Sequence, residues 1–596
     1  MKIPMSNHFY NNLKEKSSSI IPLITLIIIT IIITYLKINV QISIGPQWDA
    51  FDFLADAANF AGQGFGYYDL MRPPLLSFLT SIFFRLGYTS EVTIFAVDGF
   101  LFVLGVIGLY LFLKLRFNSI ESFLGSLIFI SFPVVLLWVG AGYTDIASTS
   151  LSIWALYLTV LAVNKNPKFF YLSFPIATLS ILTRLPAAII LFPMIFYILI
   201  NREKLKNFRT IFIGIFVSFL IMIPVFIFFY ETLGNPFALF LQNLRATTTT
   251  TTTTSVARFA YDPNPFFYIT NSLYSLINMN LLNNNYLGMN IAFFIAVIMI
   301  LYSVLIGIFI YIHKILKPLT IKSTLKNILK LEKPKIIIIL VIIILFLIFV
   351  GTLGKISYLF SEIIFLILCI MLYPFLRHEN LKNLDIDFLF LSLLVSYLIF
   401  NSFYPIKVCR YLIPMTPAFA YFIILGLSQF SVKLKFKIKR VRITSILSII
   451  LTLALLFSIG SYVYQLENDP LSHGLNFNLK PVNQSFQFQI DSKAYNGKLY
   501  SENYNTLELK NISIWLKEYD PNYKNKIIYS DYFWPHLSWY LKTNIGGLGN
   551  QKNINDELKK QDVTYYICMS NVHLKDYFLL TKFKTNFTHI VIYKKY

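Results

Sequence analysis

Residues 44–76 read IGPQWDAFDFLADAANFAGQGFGYYDLMRPPLL and lie between a first long apolar run and a much longer hydrophobic remainder. The stretch carries the acids Asp49, Asp52, Asp56 and Asp69, and its one base is Arg72. Asp49, Asp52 and Asp56 follow the spacing at which residues share one face of a helix. Like charges so placed repel by a few tenths of a kcal/mol per pair, so local helix stability gives no reason for them. Two readings fit: a solvated acidic face on an interfacial helix, or a site where at least one carboxylate does acid/base work beside a membrane.

The surrounding composition settles the membrane. The chain has 596 residues, 56% of them hydrophobic and 13% charged. A soluble domain needs far less apolar surface, and uninterrupted apolar runs of about 16 to 25 residues mark a polytopic membrane protein. The first run, IIPLITLIIITIIITYL, is long and lacks a small-residue cleavage site, so it reads as a retained span. Cys369, Cys409 and Cys568 are far apart, which indicates neither a disulfide framework nor a zinc site. The net charge of +22 does not point to nucleic acid, because the lysines cluster in short loops between apolar runs.

Spans are expected near 19–38, 93–113, 119–139, 146–163, 169–183, 186–200, 210–230, 288–312, 336–352, 356–375, 387–403, 411–429 and 443–463, about 13 helices in all. With the N-terminus inside, the cytoplasmic pieces hold about 26 Lys and Arg, against about 9 in the exterior loops and span ends before residue 465. That asymmetry fixes the expected orientation. It also places Pro73–Gly87, an apolar stretch too short to cross comfortably, as a second juxtamembrane helix in the first exterior loop (residues 45–92). The expected architecture is a polytopic α-helical membrane domain over 1–464 and a small extracytoplasmic α/β domain over 465–596. The threonine run Thr247–Thr254 is a polar low-complexity segment with no legible chemistry. The triplets at Asn483, Asn511 and Asn586 are glycosylation-type sequons on the expected exterior side.

Under this topology the unusual polar residues collect at one face. Asp49 and its neighbours follow the first span, Asp145 follows the third in WVGAGYTDIAS, and Arg184 sits in the turn LTRLP. Lys407 and Arg410 lie in FYPIKVCRYLIP before the twelfth span. A carboxylate can take a proton from an attacking hydroxyl, while arginine grips phosphate through a bidentate fork and lysine as a point charge. That combination suits glycosyl transfer from a lipid-phosphate sugar, with the leaving phosphate held at headgroup level. Each residue also has a plainer use: a base at a helix end can snorkel, and Asp145 or Thr144 can cap the fourth span. Asp98 and Glu362 are expected to be hydrated near outer helix ends, Trp48, Tyr67 and Tyr68 to be interfacial belt residues, and His536 to pack within its domain. No Gly-rich phosphate loop, HExxH or Ser/His/Asp order is present.

The run WDAFDFLADAANFAGQGFGYYDLMRPPLLSFLTSIFFRLG resembles the first exterior loop of the C-type glycosyltransferases, which include protein O-mannosyltransferases, lipid A aminoarabinose transferases and related bacterial cell-envelope sugar transferases. The family pattern is Asp, often followed by Glu, then an aromatic, an Ala, a Gly and Pro-Pro-Leu. Asp49, Phe53, Ala57, Gly62 or Gly64, and Pro73-Pro74-Leu75 match in order; Ala50 stands where Glu is frequent and Phe53 where Tyr is usual. SFPVVLLWVGAGYTDIASTSLSIWAL is similar to the family's Pro-then-Asp segment, and VCRYLIPMTPAFAYF to its late Arg-Tyr-x-x-Pro-x-x-Pro segment. The resemblance covers about residues 40–200 and 400–430, and the WWDYG-type signature of the oligosaccharyltransferase branch is absent.

The resemblance implies an inverting transferase that draws on a polyprenyl-phosphate-linked sugar, with Asp49 as general base. Asp52 or Asp145 would orient the acceptor or a divalent metal, and Arg410, with Arg184 or Lys407, would bind the donor phosphate. Asp56 and Arg72 belong to the acceptor side of the loop. The expected partners are that donor, a protein, glycan or lipid acceptor, and membrane lipids, with no nucleic acid. Two rivals remain at this point: a lipid-linked sugar flippase, whose acids should lie at mid-membrane in broken helices, and a non-catalytic surface-assembly protein.

Overall fold

A computed structural model describes residues 5–46, 48–205, 207–241, 264–276, 302–314, 333–377, 383–404, 407–433, 437–438, 441–468, 502–531, 533–548, 553–569, 572–584 and 589–596. The threonine run, the sequons at Asn483 and Asn586, and most of the expected 288–312 span lie outside these residues.

The chain is a multi-pass, largely helical protein. Among the described residues seven helices are long and apolar enough to cross a bilayer: Ile20–Ile44, Glu91–Leu113, Thr144–Asn164, Arg209–Leu233, Leu384–Phe403, Arg410–Phe430 and Ile446–Tyr464. Among the described residues some of the other expected spans are shorter or broken, and the expected count is not confirmed. The 119–139 stretch is two helices, α5 (Ser119–Ser131) and α6 (Pro133–Trp138), joined by an extended Phe132. Pro133 explains the break: it cannot donate to the preceding turn, yet its fixed φ suits the first turn of a new helix. The 186–200 stretch likewise enters as a 3-10 turn, Leu185–Ile190, before it becomes α9 (Leu191–Ile200).

The N-terminal part places the acidic loop. Here α1 is Met5–Ile44, α2 Trp48–Phe60, α3 Leu75–Arg85, α4 Glu91–Leu113, α7 Thr144–Asn164, α8 Phe170–Thr183 and α10 Arg209–Leu233. α4 packs between α1 and α7, and α7 against α8. α2 and α3 are the short amphipathic pair expected from the loop. They bury Phe51, Leu54, Ala58, Leu76 and Phe84 together with Ile94 and Phe95 of α4. Burying a side chain of this size is worth about 1.5–3 kcal/mol, enough to outweigh the repulsion along the acidic face of α2. By contrast α10 leaves most of its apolar surface exposed, as a lipid-facing helix does.

The C-terminal region holds a five-stranded mixed sheet. In spatial order its strands are Gly546–Gly547, Ile528–Ser530, Tyr565–Cys568, His589–Lys595 and Tyr577–Lys584. The first three run parallel and the last two complete the sheet antiparallel. The helix Trp534–Leu541 leaves this layer and rests on α2 and α3. Phe51 packs on His536 at 4.3 Å, and Trp539 stacks on Phe84 at 6.0 Å. Trp539 Nε1 donates to Glu91 at 3.1 Å.

Candidate active site

α2 directs Asp49 and Phe53 into a cavity of 260 Å³ that also takes in Arg72, Asp145, Arg184 and Arg410. Four separated stretches of chain therefore meet at one face of the helical domain. The cavity is closed by Tyr397, Asn401 and Tyr404 from the end of the Leu384–Phe403 helix and by Tyr411 and Pro414 from the 3-10 turn Cys409–Met415. Asn401 Nδ2 donates to the Tyr411 carbonyl at 2.9 Å and fixes that turn against the helix.

Asp49 is gripped from both sides. Arg410 Nη1 meets Oδ2 at 2.8 Å and Arg72 Nη2 meets Oδ1 at 3.0 Å. Arg410 is steadied by aromatic faces, its guanidinium carbon 5.0 Å from the Tyr143 ring centre and 5.7 Å from that of Trp138. Burial alone would raise the proton affinity of Asp49, but the two guanidiniums outweigh it and hold the carboxyl well below the usual carboxylate range. While both arginines stay, Asp49 is an ion and a weak base.

Arg72 is the hub of the loop. Its Nη2 donates to Asp52 Oδ2 at 2.6 Å and its Nε to Asp69 Oδ2 at 3.1 Å. Tyr67 completes the shell by donating to Asp52 Oδ1 at 2.7 Å, a role beyond the interfacial belt expected for it. Asp52 lies behind Arg72 and does not line the cavity; burial pushes its carboxyl up to about 6 even with Arg72 beside it. Asp56 is farther still, accepting from the Asp69 amide at 2.8 Å, and burial raises it well above the ordinary range. Asp49, Asp52 and Asp69 converge on Arg72, and no three Asp, Glu, His or Cys side chains among the described residues are grouped as a metal ion would need.

On the opposite wall Arg184 Nη1 forms an ion pair with Asp145 Oδ1, and Arg184 lies 5.0 Å from the Tyr411 ring centre. Asp145 stands in the first turn of α7 but makes no side-chain cap. Lys407 does not reach the cavity. Its Nζ is buried and donates to the carbonyls of Asn401 at 2.5 Å, Tyr404 at 2.6 Å and Ser402 at 3.2 Å, so it caps the end of the Leu384–Phe403 helix. That position supports the turn carrying Arg410.

Two acids expected to be hydrated are fully buried. Glu362 accepts from Ser396 at 2.9 Å. Asp98 lies beneath the turn before Tyr143, and the amides of Gly140, Ala141 and Gly142 turn toward it without reaching strict hydrogen-bond geometry. That turn needs glycine: Gly140 and Gly142 have φ of +66° and +74°, and a Cβ on Gly140 would fall 2.8 Å from Ile38. Counting residues from a helix end misplaces both acids, because the turn folds over one and neighbouring helices enclose the other.

Comparison with known proteins agrees with this architecture. Residues 71–228 match the family described as dolichyl-phosphate-mannose-protein mannosyltransferase. The fold is similar to that of ArnT from Cupriavidus metallidurans bound to undecaprenyl phosphate, with a TM-score of 0.54 and 9% identity over 96% of this chain and 97% of that one. The apo state of the same protein gives a TM-score of 0.52 at 9% identity, with the same coverage. No curated protein matches the chain in sequence. The protein has the fold of the C-type integral-membrane glycosyltransferases. The resemblance to this family is supported over the end of its first segment and the whole of its second: the match begins inside the acidic loop and runs through α8 and most of α10, and the segments that carry Asp49 and Arg410 lie outside it.

Proposed function

We propose that the protein transfers a sugar from a polyprenyl-phosphate-linked donor to an acceptor hydroxyl, with inversion, at the extracytoplasmic face. The observation that carries this reading is the Arg72–Asp49–Arg410 bridge at the wall of a cavity that also holds the Arg184–Asp145 pair. It unites a carboxylate with guanidiniums at a membrane boundary, where a lipid carrier can present its phosphate. On this reading the donor phosphate draws hydrogen bonds from Arg410 and Arg184, which loosens the hold on Asp49 and restores its basicity. Asp49 then takes the acceptor proton as the hydroxyl attacks the anomeric carbon, and the arginines stabilise the charge left on the departing phosphate. Arg72 orients Asp49, and Asp145 keeps Arg184 turned into the cavity.

On this reading the face with the basic loops is cytoplasmic, with the N-terminus inside and the C-terminal α/β region outside, as the charge bias of the loops supports. ArnT from Cupriavidus metallidurans, which shares the fold, has been crystallised bound to undecaprenyl phosphate, and this supports a lipid-phosphate donor here. Purified protein incubated with a mixture of polyprenyl-phosphate sugars should release free polyprenyl phosphate, and mass spectrometry of copurifying lipid should reveal the donor. Intact donors after prolonged incubation with varied acceptors, and no copurifying polyprenyl phosphate, would sink the proposal.

A further inference from the structure

The face opposite the acidic loop carries a second polar cavity, of 430 Å³. α7 connects the two faces: Asp145 and Ser148 at its start line the first cavity, and Asn164 at its end lines the second. Its 21 residues separate the two by about 30 Å at the helical rise of 1.5 Å per residue.

Three cations from three connections surround this second cavity: Lys165 after α7, Lys204 after α9, and Arg377 at the end of the Tyr358–Arg377 helix. Its one acid is Asp385. The floor is a hydrogen-bonded network. Lys204 Nζ donates to Asp385 Oδ2 at 3.1 Å and to Asn164 Oδ1 at 3.3 Å. The buried Tyr197 hydroxyl donates to the same Asp385 oxygen at 3.1 Å and accepts from Asn164 Nδ2 at 2.9 Å. Asp385 thus balances Lys204 only. Arg377 has one loose, exposed partner, Glu203, at 3.5 Å, and no salt bridge is formed by Lys165 among the described residues. Val160, Leu161 and Ile386 line the remaining wall with hydrocarbon.

A cavity with excess positive charge at its rim and an apolar wall, set at a membrane boundary, is complementary to a phosphate that carries hydrocarbon. The bias of basic residues toward one side explains why Lys165, Lys204 and Arg377 lie on this face; their gathering from separate connections around a single cavity with an aliphatic wall is what points to a ligand. We infer that this cavity binds the phosphate of a membrane-anchored lipid, with Lys165, Lys204 and Arg377 contacting the phosphate and the Val160–Leu161 side taking the start of the chain. The site is separate from the candidate active site and does not depend on the reading given to it.

The test is native mass spectrometry of the full chain released from nanodiscs that contain phosphatidylethanolamine, phosphatidylglycerol and undecaprenyl phosphate. The wild type should retain one more anionic lipid than K165Q/K204Q/R377Q, with retention weakened about 5-fold for each charge removed. The charge-keeping variant K165R/K204R/R377K should restore it, which separates loss of binding from loss of fold. Extra phosphatidylglycerol would identify a bulk phospholipid, and extra undecaprenyl phosphate the carrier itself. Equal retention by wild type and K165Q/K204Q/R377Q would overturn the inference, as would failure of the charge-keeping variant to rescue. Displacement of the lipid by millimolar inorganic phosphate alone would overturn the lipid assignment in favour of a free-anion site.

Discussion

At Asp49 the decisive physics is competition for guanidinium hydrogens. Two arginines keep it ionised and weakly basic, whereas its neighbour Asp52, one helical turn along, is pushed up to about 6. The two therefore bear on stability in opposite senses. Asp49, depressed, contributes stability above the ordinary carboxylate range and loses it only as pH falls below that range. Asp52, raised, contributes stability below the unfolded value near 3.9 and loses it as pH rises through about 6. Asp56 is also raised and adds a slope of the same sign. Detergent-solubilised protein should lose thermal stability between about pH 4 and 6, and D52N should make that decline shallower; an unchanged slope in D52N would show that Asp52 does not titrate there. Lys407 gives a second residue-level expectation. Its three carbonyl partners make it structural, so K407M should lower the melting temperature, since each stranded acceptor costs about 1–3 kcal/mol. Weaker donor-lipid binding at an unchanged melting temperature would instead return it to the phosphate. Sequence shows which residue types converge, because charge is costly beside a bilayer. It does not show which atoms they touch. Both Lys407 and Arg72 stand out in the sequence, but their contacts do not: the partners of Lys407 are backbone carbonyls, which carry no sequence signal, and the three acids of Arg72 are gathered only by the folded loop.

Among elements, α2 is short and self-repelling along its acidic face, so its position depends on what covers its other face. Phe51, Leu54 and Ala58 meet α3 and α4 from below, and the Trp534–Leu541 helix covers them from the C-terminal sheet. Trp539 bridges this contact through Phe84, Phe65 at 6.2 Å, and Glu91. W539A should cost about 3–5 kcal/mol and expose residues 61–72 to protease, whereas W539F should keep much of the packing; equal protease resistance in wild type and W539A would show that α2 and α3 stand without this cover. The pair α2 and α3 is legible in the sequence from length and amphipathicity. The docking helix is not, because FWPHLSWYL reads as an ordinary core-packing helix and nothing local says that its core is shared. The break at Phe132–Pro133 is also lost inside an apolar run, where hydropathy sees continuity and only the proline signals interruption.

For the whole molecule, the charge asymmetry of the loops and the sidedness of the two cavities make one claim about topology. Single cysteines at positions 69 and 88, placed on the loop that carries α2 and α3, should react with a membrane-impermeant maleimide on intact cells. Cysteines at 165 and 204 should react only after permeabilisation; labelling of both pairs from one side would refute the assigned orientation. The membrane class, the orientation expected from lysine placement and the acidic loop all come from composition and spacing. The number of continuous helices does not, since that depends on where packing lets an apolar run stop. The claim on which the rest depends is that Asp49, released by the donor phosphate from Arg410, is the base for sugar transfer. It is tested by the turnover of a polyprenyl-phosphate sugar by wild type and D49N in proteoliposomes, with donor binding measured alongside. D49N should insert and bind the donor at least as tightly, because its arginines no longer face a carboxylate, yet transfer no sugar. Wild-type turnover by D49N would remove Asp49 from the chemistry.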